Sequence, residues 1–335
     1  MIATALLCAL AAAPASSHAA MSREHADAAT SAWNRGRADE TLQLVDSALN
    51  EDPNDARALN LRCRVFYAEE RWDDAIGACS RAVQIDGGNS SYHMWLGRAY
   101  GGKAQQVALM AAYKLARQIR VEFETAASLD AKNGEALSDL GQFYAEAPGI
   151  VGGGYAKAEG IAKQLDAFAP ARAHDLRAEI AEQKKDYGGA EKELRAAISA
   201  SHSSAQSWMD LGSFYSRHER WDEMVAAVQS GAVAADRDHG PALADGAATL
   251  IKAGREPKLA IDWMRDYLAS DALSEGAPAF VVRVRLGTLL NQQGDSRGAQ
   301  KEFAEARVLA KDYVGLPPME KTAHQEVAHQ AAGRR

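Results

Sequence analysis

The sequence predicts an all-α, right-handed superhelical solenoid of about eight helix-turn-helix units. Three observations carry that prediction. Alanine, or a residue standing in its slot, recurs at Thr41, Ala75, Ile119, Ala158, Ala190, Met224, Ala260 and Ala299, at intervals of 34, 44, 39, 32, 34, 36 and 39 residues. Hydrophobic residues make up 47% of the 335 but aromatics only 7%, which suits closely approaching helices and argues against a sheet. Several units also carry an apolar helical face with a glycine at its centre.

The units run at roughly 22–55, 56–89, 90–133, 134–170, 171–204, 205–239, 240–276 and 277–311. The first lacks the aromatic-glycine face and is expected to be an N-terminal cap. In the second, Leu59, Cys63 and Phe66 precede Trp72-Asp73-Asp74-Ala75-Ile76, Cys79 and Ala82. The third carries Leu96, Gly97 and Tyr100, with His93 in the leading slot, and the fourth carries Leu137, Leu140, Gly141 and Tyr144. Spacing alone places the fifth and seventh. The sixth is clearest: Trp208, Leu211, Gly212 and Tyr215 lie at i, i+3, i+4 and i+7, one helical face. A glycine there costs ~1 kcal/mol against alanine, so another helix is expected to come close. Trp221-Asp222-Glu223-Met224-Val225 then opens a second helix with acids in its first turn, where the helix dipole favours them. The eighth repeats the pattern with Leu286, Gly287 and Leu290, then Gly294, Ala299, Phe303 and Ala306. Residues 312–335, with Pro317-Pro318, form a C-terminal tail or cap.

The Trp208, Leu211, Gly212, Tyr215 pattern resembles the tetratricopeptide repeat family, with terminal prolines at Pro53 and Pro170. That resemblance implies that each unit's first helix lines a concave groove, which takes a segment of another protein. It assigns to the groove Arg57, Asn60 and Arg64 from the second unit, Arg98 from the third, and Glu135, Ser138 and Gln142 from the fourth. The fifth adds Arg172, Asp175 and Glu179, and the sixth Gln206, Met209, Ser213 and Arg217. So read, the groove is basic at its N-terminal end and acidic in its middle, which suits an extended peptide of mixed charge. Each unit is expected to bury its apolar side only against its neighbours in line.

Two units are stretched. Lys103 to Glu122 carries Val107, Met110, Leu115 and Ile119 at helical spacing and reads as a lengthened helix. Pro148-Gly149-Ile150-Val151-Gly152-Gly153-Gly154 reads as an inter-helix bulge; it lacks the Gly-Lys-Ser/Thr ending of a phosphate-binding loop. Over residues 92–158 the pairing of these insertions resembles exported bacterial proteins built from such repeats, and implies no activity.

Residues 1–20 are expected to be a signal peptide, because Ile2 to Ala13 is apolar and uncharged, Pro14 ends the run and small residues follow. A periplasmic or secreted protein follows, or a cytoplasmic one if the leader does not function. The run is too short for a permanent membrane span. Cys63 and Cys79 lie on the paired helices of one unit and are candidates for a disulfide in an oxidising compartment, or else two small core residues.

No catalytic, cofactor-binding or metal-ligating set emerges, and no cofactor is expected. The histidines at 93, 174, 202, 218 and 239 are scattered over the third, fifth and sixth units, and His324 and His329 are spaced off a common helical face. A net charge of −7 argues against nucleic acid as a partner. The expected function is a non-catalytic protein-interaction scaffold. The alternatives are an enzyme site at Gly149–Gly154 served by Lys103, Lys114 and Arg117, and a structural protein that self-associates.

Overall fold

Eight antiparallel helix pairs follow one another in the computed structural model, which describes residues 15–238 and 240–318. The pairs are α1 (Ala15–Asn34) with α2 (Ala38–Glu51), α3 (Ala56–Ala68) with α4 (Trp72–Ile85), α5 (Ser90–Ala104) with α6 (Leu109–Leu129), and α7 (Gly134–Glu146) with α8 (Tyr155–Leu165). Then come α9 (Pro170–Gln183) with α10 (Tyr187–Ala200), α11 (Ala205–Arg217) with α12 (Trp221–Asp238), α13 (Ala242–Ala253) with α14 (Pro257–Ala269), and α15 (Ala279–Gln292) with α16 (Ser296–Leu309). Among the described residues there is no strand beyond one isolated bridge, Ser274 to Ala277. Residues 1–14 of the expected leader and residues 319–335 of the tail, with His324 and His329, lie outside the described residues, as does His239. No helix among the described residues is long and apolar enough to cross a membrane.

Local chemistry sets the element ends. Asp55, Asn89, Asn133 and Ser204 cap first helices by accepting from backbone N–H groups two or three residues on. Pro170 starts α9 where its missing N–H costs nothing. Within each pair the helices meet closely, and at three of them the contact is a glycine: Gly97 against Phe123 of α6, Gly212 and Gly287. A Cβ at Gly212 would lie 2.5 Å from Val228 Cγ1 of α12, and one at Gly287 would lie 2.6 Å from the Phe303 ring of α16. Successive first helices also lie side by side, α3 on α5, α5 on α7, α7 on α9 and α11 on α13, and form an inner wall.

The buried residues form clusters that hand over along the chain. One links α3, α4 and α5 through Cys63, Ala75, Cys79 and Leu96. A second runs from Ile119 to Ile180, and a third from Ala178 to Ala299. Cys63 and Cys79 are bonded, Cα to Cα 5.2 Å apart, which ties α3 to α4. In the chain-entropy account a loop of their 16-residue separation adds about 3 kcal/mol.

A fourth cluster departs from strictly linear stacking. Trp33, Ala38, Val45, Leu61 and Val65 from the first two pairs pack with Phe280, Ala306, Ala310 and Tyr313 from the last. The two ends of the superhelix therefore meet and close it into a ring. The reason is geometric: eight units bring the array round to its own start, where Trp33 and Phe280 leave apolar surface that only each other's neighbourhood can cover. Polar contacts cross the same seam. Arg64 Nε donates to Glu275 Oε1 at 2.7 Å, Lys311 N–H to Asp39 Oδ2 at 3.2 Å, and Val314 N–H to the Glu69 carbonyl at 3.2 Å. Glu275 reaches Arg64 because the connection between α14 and α15 is long.

Glu69 sits in this seam with no exposed surface, and its Oε1 has no hydrogen-bond partner. Burial pushes its carboxyl up to about 7, against the pull of Arg71 and with Asp39 and Asp312 adding to the rise. The protonated form is therefore favoured in the closed ring, and this contribution is fully present below the ordinary value of 4.5 and lost as pH rises through about 7.

Urea unfolding is expected to show stability falling between about pH 4.5 and 7, with Glu69→Gln losing part of that slope; an unchanged slope would place the titrating group elsewhere. Gly212→Leu is expected to cost about 1–3 kcal/mol by overpacking α11 on α12. Gly77→Ala, where a Cβ meets nothing within 4 Å, is expected to gain about 0.5–1 kcal/mol. Equal effects of the two in thermal melts would contradict the packing account.

Candidate functional site

The inner wall carries one aspartate per unit over four successive units. Asp139, Asp175, Asp210 and Asp245, on α7, α9, α11 and α13, are spaced by 36, 35 and 35 residues. Each directly precedes a residue that turns into the packed face (Leu140, Leu176, Leu211 and Gly246), so each stands at the edge between core and groove. That position half-buries them, and a half-buried carboxylate loses hydration.

The consequence is electrostatic. Burial pushes Asp175 up to about 7, and Asp210 adds to it; Arg172 pulls the other way. Burial pushes Asp245 up to about 6, again with Asp210 adding, while Arg285 and Gln206 oppose it. Asp139 and Asp210 are raised too, chiefly by burial, although Arg98 Nε donates to Asp139 Oδ2 at 2.6 Å and Gln206 Nε2 to Asp210 Oδ1 at 3.1 Å. Asp175 Oδ1 is buried without a hydrogen-bond partner. A cavity of about 300 Å³ opens here, with Arg172, Asp175, Glu179, Glu182, Asp210 and Arg217 among its lining. Burial raises Glu179 as well, with Glu146 and Glu182 adding.

Most of the sequence-assigned groove residues do face this space. Ser138, Gln142, Arg172, Asp175, Glu179, Ser213 and Arg217 line the 300 Å³ cavity. Arg64, Arg98 and Glu135 line a second cavity of about 500 Å³ at the seam. There Trp95 lies between two guanidinium groups, Arg98 at 4.8 Å and Arg64 at 5.5 Å from its ring centroid, with the Tyr67 ring edge-on at 5.5 Å. Arg57 and Gln206 are exposed at the surface.

Two assignments are corrected. Met209 is 1% exposed, with its side chain against Gly231 and Gly246, and Asn60 is 5% exposed. A first helix touches its partner and both neighbouring first helices, so its buried arc is wider than one stripe and takes in these positions. The basic N-terminal end is also corrected. Arg57 pairs with Asp27 at 2.5 Å, Arg64 with Glu275, and Arg98 with Asp139 and Glu135. Arg217 bonds Glu182 at 2.7 and 2.8 Å. The wall's cations are largely neutralised within the fold, and apart from Arg172 its unpaired charge is acidic. Arg172 is exposed and has no ion pair among the described residues.

Asp139, Asp210, Asp245, Trp95 and Glu275 escaped the sequence assignment. The aspartates had a legible signal, their recurrence at the repeat period; Glu275, 211 residues from Arg64, had none. At the bulge, the three cations do not converge: Lys103 bonds Asp73 at 2.7 Å, and neither Lys114 nor Arg117 lines the adjoining cavities. Among the described residues no three histidine, cysteine, aspartate or glutamate side chains are grouped to hold a metal.

Residues 32–100 match the tetratricopeptide repeat family model. No curated protein sequence matches the chain. Among solved structures it is similar to TTC0263, a thermophilic repeat protein of this kind from Thermus thermophilus, at 18% identity over 69% of this chain and 99% of that one, with a TM-score of 0.47. It is also similar to a tetratricopeptide repeat protein from Parabacteroides merdae, at 13% identity over 93% and 99% of the two chains, with a TM-score of 0.42. A third is the MamA protein, at 18% identity over 56% and 96%, with a TM-score of 0.42.

The cost of the unsatisfied wall is measurable. Asp175→Asn is expected to stabilise the protein at about pH 8 and to change little at about pH 3 and below, where the Asp175 carboxyl is largely protonated in both folded and unfolded chains. A loss of stability at the higher pH would mean that the carboxylate is satisfied there.

Proposed function

We propose that the chain is a tetratricopeptide repeat protein that acts as a non-catalytic scaffold, whose acidic inner wall grips an extended, lysine- or arginine-rich segment of another protein. The observation that carries this is the run of four half-buried aspartates, one per unit. An extended segment laid across the first helices presents cations at intervals, and each one that meets Asp175, Asp210 or Asp245 supplies a cationic partner that the fold withholds, whereas Asp139 already has Arg98. The raised Asp175 and Asp245 carboxyls then fall back toward their ordinary range, so binding releases protons and tightens as pH rises. Opposite charge also speeds encounter and makes affinity fall with salt. Arg172 is available for a carboxylate of the bound segment, which would fix its direction. The leader-like run at Ile2–Ala13 and the bonded Cys63–Cys79 pair support export to the periplasm, where disulfides persist.

Fluorescence anisotropy with labelled peptides alternating lysine or glutamate with alanine tests the reading. The lysine peptide is expected to bind, more tightly at about pH 8 than at about pH 5, and to weaken at least about tenfold on Asp175→Asn with Asp210→Asn. Equal binding of the glutamate peptide, or indifference to the two substitutions, would overturn it.

A further inference from the structure

The two insertions meet and build an apolar cleft on the outside of the ring. It is lined by Leu109, Tyr113 and Ala116 of α6, by Phe143 at the end of α7, and by Pro148 and Val151 of the bulge, and has a volume of about 360 Å³. Leu109 of the lining is 68% exposed, and the large apolar residues next to lining residues in the chain are in solvent as well, Met110 at 79% and Ile150 at 74%. Single exposed apolar residues are ordinary on a surface, but three around one apolar cleft are not.

The bulge is a built structure. Residues Gly149–Val151 form a 3-10 turn, Gly153 N–H donates to the Pro148 carbonyl, and Gly154 N–H to the Tyr144 carbonyl at 2.7 Å. Gly152 has φ +105°, a conformation that other residues resist, and a Cβ there would lie 2.6 Å from Arg120 Cδ of α6. The lengthened helix and the bulge are thus fitted to each other, and their joint result is to hold Ile150 and Leu109 out in water.

Charge adds a second feature. Between Lys103 and Val121 there are four cations and no acid, in a chain of net charge −7. Lys114 and Arg117 are exposed and have no ion pair among the described residues, and Arg120 Nε is buried without a hydrogen-bond partner. The acids nearest in sequence are engaged: Glu122 bonds His93, Glu124 accepts from Tyr144, and Glu146, at the cleft itself, accepts from Gln142.

We propose that this cleft docks an amphipathic helix of another protein, with an apolar stripe that enters between α6 and the bulge and acidic residues beside the stripe that meet Lys114 and Arg117. The wall of the cleft is itself a helix ridge, with Leu109, Tyr113 and Ala116 at i, i+4 and i+7, and such a ridge meshes with the ridge of a second helix. A flat lipid surface would leave the concave part unfilled. This surface lies outside the inner wall, so the chain would hold one partner within the ring and a second on its rim.

The test is selection of a displayed library of helical peptides on the full, disulfide-bonded chain. Enriched peptides are expected to carry apolar residues at i, i+3 or i+4, and i+7, flanked by Asp or Glu. They are expected to lose at least about tenfold in affinity on Leu109→Asp with Ile150→Asp, both surface changes, and to be unaffected by Asp175→Asn. Exchanging the flanking acids for lysine should weaken binding to the native chain and restore it to Lys114→Glu with Arg117→Glu. Peptides indifferent to the Leu109 and Ile150 changes would overturn the proposal. So would phosphatidylglycerol vesicles that sediment the native chain but not that variant, which would make the partner a lipid surface, or a concentration-dependent size abolished by it, which would make the partner a second copy.

Discussion

No helix pair in this chain can bury its apolar face alone. Each pair is two helices thick and exposes a stripe on either side, so every unit depends on the next for its core. This one constraint explains the close-packed glycines at 212 and 287, the hand-over of buried clusters from Cys63 to Ala299, and the closing of the ring. The first and last units face the same deficit as the others. They meet it by packing Trp33, Val45 and Leu61 against Phe280, Ala306 and Tyr313. A linear array would need polar caps at those positions.

The ring also shapes the electrostatics. Cations that a linear reading leaves free at the N-terminal end are taken up by acids that the fold brings round or alongside: Arg64 by Glu275, Arg98 by Asp139. What is left over on the inner wall is carboxylate, half-buried and raised in pKa. Such groups cost stability as they stand, and in the proposed function a cation of the bound segment would offset that cost. The outer cleft has the same logic in apolar form. Gly152 and Arg120 hold a rigid bulge, and the rigidity serves to keep Ile150 and Leu109 exposed.

Much of the fold is legible in the sequence because its causes are local. The Trp208, Leu211, Gly212, Tyr215 face and the acids after Trp221 state a helix pair in one stretch of sequence, and recurrence states the solenoid. The aspartates at 139, 175, 210 and 245 are equally legible as a period, but three of the four lie outside the positions that the family pattern assigns to the groove. Met209 and Asn60 hold such positions and are buried all the same, because a helix wedged among three neighbours buries more than one stripe. Ring closure leaves almost no trace. Its contacts join residues as far as 211 positions apart, such as Arg64 and Glu275, and no local pattern encodes the total rotation of eight stacked units. The long connection before α15 is its one sequence-level mark.

The closed ring is tested most directly by the distance between its ends. Spin labels at Glu40 and Lys311, in a Cys8→Ser background with the Cys63–Cys79 bond intact, would flank the contact between Asp39 and the Lys311 backbone. The account predicts a single short, narrow distance distribution that persists until global unfolding. A long or broad distribution in the native protein would contradict it, and would return the chain to an open superhelix.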